Sequence, residues 1–167
     1  MPNWCYNYVT FSHPSKTIID ELEKNLEPDS EENLFSSIKP IPLDEEDNWY
    51  QWNTENWGTK WDASNIDSQR ESDNEITISF ETAWSPPIAL YEWMVTQDWE
   101  VTALYDESGQ EFAGEFYDGE DHCFEYTLED KESVGSEIHF KKDGVKLLIS
   151  PTKLNQVNSE DAGWSSV

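Results

Sequence analysis

The sequence predicts an α+β fold with a split β-α-β sheet of the ferredoxin-like kind, an aromatic-rich insertion at about 34–60 and extra C-terminal strands. Two segments, 4–12 and 75–82, are aromatic and β-branched or alternate at strand period, and two others, 18–26 and 88–95, repeat apolar residues at helical period. The order strand, helix, strand, strand, helix, strand sets this class apart from sheets made of parallel crossovers. The 167 residues suit one domain over 1–150, with 151–167 expected to be a loose tail.

Trp4–Ser12 puts Cys5, Val9 and Phe11 on one face and Trp4, Tyr6 and Tyr8 on the other, as suits a central strand. Pro14-Ser15 opens a helix carrying Ile18, Ile19, Leu22 and Leu26 on one side and Asp20, Glu21, Glu23 and Glu27 on the other, ending before Pro28. Residues 34–43 contain Pro40 and Pro42, which remove backbone donors and push the residues before them to extended geometry. A packed connecting segment is expected there rather than a helix. Residues 47–56 read as a short helix holding Trp49, Tyr50 and Trp52; Trp57 follows, and 58–63 leads into a second strand. Residues 27–33 and 66–74 are expected to be loose.

The 75–82 strand turns Ile76, Ile78 and Phe80 inward. Pro86-Pro87 starts a helix whose buried stripe is expected to be Ile88, Tyr91, Met94 and Val95. Strands are then expected over 100–106 and 111–117, with turns at Ser108-Gly109 and Asp118-Gly119. Further strands are expected over 122–128 and 137–149, the latter a hairpin turned at Lys142-Asp143-Gly144.

Thirty-six acidic against ten basic side chains give a formal net charge of −26. Nine Trp indicate a core of large rings. No run approaches the roughly 20 apolar residues of a membrane helix. Met1-Pro2-Asn3-Trp4 has neither the basic start nor the apolar run of a secretory leader, so a cytoplasmic, reduced setting is expected, with Cys5 and Cys123 as free, buried thiols rather than a disulfide. Residues 71–130 hold 17 acidic side chains and no Lys or Arg, which argues against a phosphate-binding surface and against direct nucleic-acid binding.

Four blocks carry a resemblance: Met1-Pro2-Asn3-Trp4-Cys5-Tyr6-Asn7, Leu34-Phe35-Ser36-Ser37-Ile38-Lys39-Pro40-Ile41-Pro42, Glu55-Asn56-Trp57-Gly58-Thr59-Lys60-Trp61-Asp62-Ala63 and Phe80-Glu81-Thr82-Ala83-Trp84-Ser85-Pro86-Pro87. With Tyr105-Asp106-Glu107-Ser108-Gly109 and Phe112-Ala113-Gly114, the chain over about 1–119 resembles the YubB family of phage and plasmid proteins. The resemblance implies a ferredoxin-like fold and a home on mobile elements; it supplies no catalytic residues.

Two surfaces emerge as candidates. Glu81, Glu100, Asp106, Glu111, Glu115, Asp118, Glu120 and Asp121 would form an acidic face along the later strands. Such a face would bind and inhibit a host or defence protein with a basic, nucleic-acid-binding cleft, as a nucleic-acid mimic. Mimicry requires concentration: a surface of about 8,500 Å² spreads the charge to roughly one per 330 Å², against roughly one per 110 Å² on duplex DNA. The plainer explanation is that the acids maintain solubility. The alternative site is Trp49, Trp52, Trp57, Lys60 and Trp61, where rings would stack a base or nucleotide and Lys60 would meet a phosphate. A satellite core pinning the insertion, or an anchor for a protein partner, would use the same rings.

Catalysis, metal and cofactor are not expected. His13, His122 and His139 are dispersed without zinc spacing, Asp118-Gly119-Glu120-Asp121 lacks the ligand pattern of a calcium loop, and His122 and Cys123 would point to opposite faces of a strand.

Overall fold

A computed structural model describes residues 2–127 and 129, together with the backbone strands at 131–134, 137–142, 145–149 and 163–166. The elements run β1 (Trp4–Ser12), α1 (Lys16–Asn25), α2 (Leu34–Ile38), a 3₁₀ turn (Leu43–Asn48), α3 (Trp49–Asn56), β2 (Ser64–Ser72), β3 (Glu75–Ala83), α4 (Ile88–Thr96), β4 (Glu100–Glu107), β5 (Phe112–Tyr117) and β6 (Glu120–Glu125). They are followed by β7 (Lys131–Val134), β8 (Glu137–Lys142), β9 (Val145–Ile149) and β10 (Gly163–Ser166). The architecture is α+β. Six antiparallel strands form a sheet in the order β2-β3-β1-β4-β5-β6, and β10-β9-β8-β7 form a second sheet.

The register makes β1 central, with Val9 opposite both Ile78 and Ala103, and Phe11 opposite Ile76 and Val101. Partners across antiparallel strands share a face. This face therefore collects Val9, Phe11, Ile76, Ile78, Phe80, Val101, Ala103 and Phe116, and packs against Ile19 and Leu22 of α1, Leu34 and Phe35 of α2, and Leu90, Tyr91 and Met94 of α4. Each Val, Leu, Ile, Phe or Met among them removed from water contributes about 1.5–3 kcal/mol before entropy is charged against it. Tyr91 is the hub of the helix side, its ring 6.1 Å from Phe11 and 5.4 Å from Phe116.

Four details depart from the sequence expectation. The α4 stripe is Leu90, Tyr91 and Met94; Ile88 is half-buried at the first turn and Val95 is exposed, because anchoring on Tyr91 rotates the next position out of the contact. Residues 34–38 form α2, since Pro40 and Pro42 restrict only what adjoins them. Asp62 supplies the missing cap by accepting from Phe35 N–H (2.8 Å), Ser36 N–H (2.9 Å) and the Ser36 hydroxyl (2.5 Å).

The span expected to be loose at 66–74 is largely strand. β2 pairs with β3 through two register shifts, which explains its lack of clean alternation. Arg70 fastens this edge strand to α1 through Asp20 (2.9 Å) and Glu23 (2.7 Å). Cys5 is buried as expected, but Cys123 is exposed, and both are free. They stand on β1 and β6, three strand spacings of about 4.8 Å apart across the sheet, too far for a disulfide.

The Asp118-Gly119 turn has both residues at positive φ (52° and 77°) and joins β5 to β6 as a two-residue hairpin. β8 and β9 pair as the hairpin expected at 137–149, its turn at 143–144 lying outside the described residues. Of the tail, 151–162 and 167 also lie outside them, whereas Gly163–Ser166 pairs with β9.

Candidate functional site

The Trp-rich insertion divides into two groups with different surroundings. Trp57 is buried, stacked edge-on against Phe35 (5.6 Å) and Trp52 (5.6 Å), and its indole N–H donates to the Lys39 carbonyl (3.0 Å). Lys39 lies over the Trp93 ring (4.9 Å) and the Trp52 ring (5.9 Å) and donates to Asn56 Oδ1 (2.9 Å); burial lowers its pKa. These residues fasten the insertion to the core, the satellite-core role. Asn56 and Asp62, which lie among the rings in sequence, are occupied by structural bonds to Lys39 and to α2.

The second group is open to solvent. The Lys60 ammonium sits 4.7 Å from the Trp61 ring centroid, 5.3 Å from Trp84 and 5.6 Å from Tyr50. Those rings are 39%, 40% and 50% exposed. Trp49 is exposed beside them and packs edge-on against Tyr50 (5.8 Å). Among the described residues no carboxylate lies within 4.0 Å of the Lys60 nitrogen.

The frame is held from several sides. Asn53, buried on α3, donates to the Lys60 carbonyl (2.8 Å), and the Thr59 hydroxyl donates to the Trp61 carbonyl (2.8 Å). The Ser85 hydroxyl donates to the Gly58 carbonyl (2.7 Å), and Trp84 N–H donates to the Asn3 carbonyl (2.8 Å). Gly58 at φ 85° has the backbone nitrogens of Ile88 and Ala89 3.3 and 3.2 Å from where a Cβ would stand, so the turn can approach α4 only as glycine. Sequence reading found Lys60 and Trp61 but did not group them with Tyr50 and Trp84. Trp84 comes from the loop after β3, and no local pattern announces that meeting.

The eight acidic residues do not form one surface. Glu81, Glu100, Asp106, Glu115 and Glu120 lie on the sheet face opposite the core, but Asp106 and Glu115 are buried, and Asp106 accepts from the Tyr126 hydroxyl (2.7 Å). Both are thereby corrected as partner-facing residues: β-strand alternation turned them into a packed face. Asp121 is exposed but belongs to the core-side face, where it accepts from the Tyr105 hydroxyl (2.5 Å). Glu111 and Asp118 occupy turns at positive φ. Burial, then the Asp121 bond, raises the Tyr105 phenol; burial, then Asp106, raises Tyr126.

The described thiols and imidazoles, Cys5, Cys123, His13 and His122, have separate surroundings. Burial pushes the Cys5 thiol well up, and partial desolvation raises Cys123. His13 Nδ1 accepts from Ser15 N–H (3.0 Å), which leaves Nε2 as the donor to the Gln97 carbonyl (3.1 Å). His122 faces the other side of β6 from Cys123 and lies 3.8 Å from Glu120. Among the described residues no three His, Cys, Asp or Glu side chains converge as metal ligands, and no helix is long and apolar enough to cross a membrane.

Fold and surface together define an acidic α+β domain bearing an exposed ring-and-lysine cluster. No family model and no curated protein matches the chain. Among solved structures, it is similar to a protein api92 from Yersinia pseudotuberculosis, described under the family model DUF1281, at 21% identity and a TM-score of 0.43. The similarity covers 56% of this chain and 39% of the Yersinia chain.

Proposed function

We propose that the chain is a non-catalytic accessory domain that binds a basic protein partner through exposed carboxylates, on a sheet of the ferredoxin-like split β-α-β kind. The strand order β2-β3-β1-β4, with α1 before β2 and α4 between β3 and β4, supports that fold reading. The observation that carries the functional reading is the run from 71 to 130 with 17 acidic side chains and no Lys or Arg, in which Glu100, Asp118, Glu120 and Asp121 are exposed. A field of this sign accelerates encounter with a basic surface and repels nucleic acid and anionic lipid.

The resemblance to YubB proteins makes a host or defence protein of a phage- or plasmid-bearing cell the expected target, with inhibition in the cytoplasm as the outcome. A nucleic-acid-handling enzyme fits by its charge. Duplex-like mimicry demands more: with Asp106 and Glu115 buried and Asp121 on the other face, the remaining carboxylates fall further below duplex charge density. Recognition of a basic surface is therefore preferred to replication of a phosphate ladder.

The test is capture from host lysate at 50 and 500 mM salt with the wild type and with Glu100→Lys, Asp118→Lys and Glu120→Lys. The expected result is a specific partner retained at low salt, released at high salt and weakened at least about tenfold by the combined reversals. A partner bound equally well by the triple variant would remove the acidic surface from the reading.

A further inference from the structure

We infer that Tyr50, Trp61 and Trp84 form an aromatic box for a cationic side chain of a partner protein, occupied in the free domain by the chain's own Lys60. The inference rests on the proposed engagement of a basic partner and adds a site to it.

Three rings surround one ammonium at 4.7, 5.3 and 5.6 Å, within the roughly 6 Å at which a ring quadrupole attracts a cation. The same geometry receives alkylated ammonium groups in aromatic cages. Lys60 itself has no carboxylate within 4.0 Å among the described residues, although the chain carries 36 acidic side chains. Among the described residues, the partners of its ammonium are these rings.

Trp84 provides an independent observation. Its backbone sits at φ 68°, a left-handed conformation that costs a bulky residue on the order of 1–3 kcal/mol and that clusters at ligand clamps. The Asn3 carbonyl fixes that peptide, and the ring it carries is 40% exposed rather than packed into the core. The strained backbone thus presents a ring to the box instead of to the hydrophobic interior.

Charge complementarity selects the occupant. A net charge of −26 draws cations toward the surface and disfavours an anionic base or phosphate at Lys60. A partner's lysine or arginine exchanges with Lys60 without any new cavity, since the outgoing ammonium moves on a flexible stem into water. A lipid choline headgroup presents the same chemistry, and the experiment separates the two.

The experiment follows the indole N–H resonances of Trp61 and Trp84 in the full chain during titration with tetramethylammonium chloride, with sodium chloride at equal ionic strength as the control. A saturable shift specific to tetramethylammonium is expected. In Lys60→Met it should saturate at about 2- to 5-fold lower concentration, the factor equivalent to about 0.5–1 kcal/mol for an exposed cation–π contact. Trp61→Leu and Tyr50→Leu should abolish it, whereas Trp49→Leu, outside the box, should not.

A tetralysine peptide should shift the same resonances and phosphatidylcholine vesicles should not; the reverse would overturn the assignment to a protein side chain. Equal responses to both salts in the wild type and Lys60→Met would overturn the box itself. Partner capture unaffected by Glu→Lys changes, with the tetramethylammonium response intact, would remove the acidic surface and leave the box standing.

Discussion

Asp62 closes α2 from 26 residues away, and replacing it tests whether that helix is held by tertiary capping rather than by its own sequence. The carboxylate accepts from two backbone N–H groups and one hydroxyl of α2 and from its own neighbour Ala63 N–H (2.8 Å). In Asp62→Ala the Ser36 hydroxyl loses its acceptor, at about 1 kcal/mol. The two part-buried N–H groups left without an acceptor cost about 1 kcal/mol each, near the low end for such groups. The sum of about 3 kcal/mol corresponds to a fall in Tm of roughly 6–12 °C at this chain length. Asp62→Asn keeps one acceptor oxygen and should lose about half as much. Urea unfolding followed by Trp fluorescence, with Tm by circular dichroism, measures both. An Asp62→Ala variant within 0.5 kcal/mol of wild type, or an Asn variant as damaged as Ala, would refute the capping account.

Gly114→Ala should lower stability by about 1–3 kcal/mol in urea unfolding, because its Cβ collides with the Tyr105 hydroxyl and the His122 carbonyl; pairing it with Tyr105→Phe should recover part of the loss. Arg70→Ala should lower the urea midpoint only slightly, since its partners Asp20 and Glu23 are about half exposed, and the loss should shrink further in 0.5 M salt. At alkaline pH the burial-raised phenols set the limit. Tyr8 is pushed up to about 12, with Tyr6, Tyr105 and Tyr126 raised too, so the native state keeps protons that unfolded tyrosines release near 10. Their contribution is intact below about pH 10 and is lost as pH climbs toward 12; tyrosinate absorbance at 295 nm should rise together with loss of the native spectrum. A tyrosinate signal from these residues at pH 10 in the folded protein would contradict their burial.

The most legible parts of the sequence were those where one face meets water-excluding neighbours at a fixed period. β1 and β3 were readable because Val9, Phe11, Ile76, Ile78 and Phe80 recur at strand spacing against a packed layer. β2 was expected as a strand after 58–63, but its course through 66–72 was not readable, because Asp67, Gln69 and Arg70 hold it by backbone pairing, bulges and a salt bridge that leave no apolar alternation. α2 was hidden by Pro40 and Pro42, since its cap, Asp62, is remote in sequence. For the site, charge counting located the acids but not their burial: Asp106 and Glu115 alternate onto a covered face that composition cannot reveal. The box was half-legible, since Lys60 and Trp61 adjoin one another while Trp84 arrives from the loop after β3.

The central place of β1 bears on how the chain is made. Ser12 and its partner Glu75 are separated by 63 residues, so at about 5–20 residues per second the middle strand of the sheet waits roughly 3–13 s for its first neighbour to be synthesised. During that interval an aromatic segment with two unpaired edges is attached to the ribosome, while α1 brings Asp20, Glu21 and Glu23 into being directly behind it. The helix can shade one face of the nascent strand, and residues 1–33, with seven acidic against two basic side chains, carry the charge that repels other nascent copies. Slow, non-local pairing of this kind makes negative charge near the first strand a safeguard of synthesis as well as a property of the finished surface.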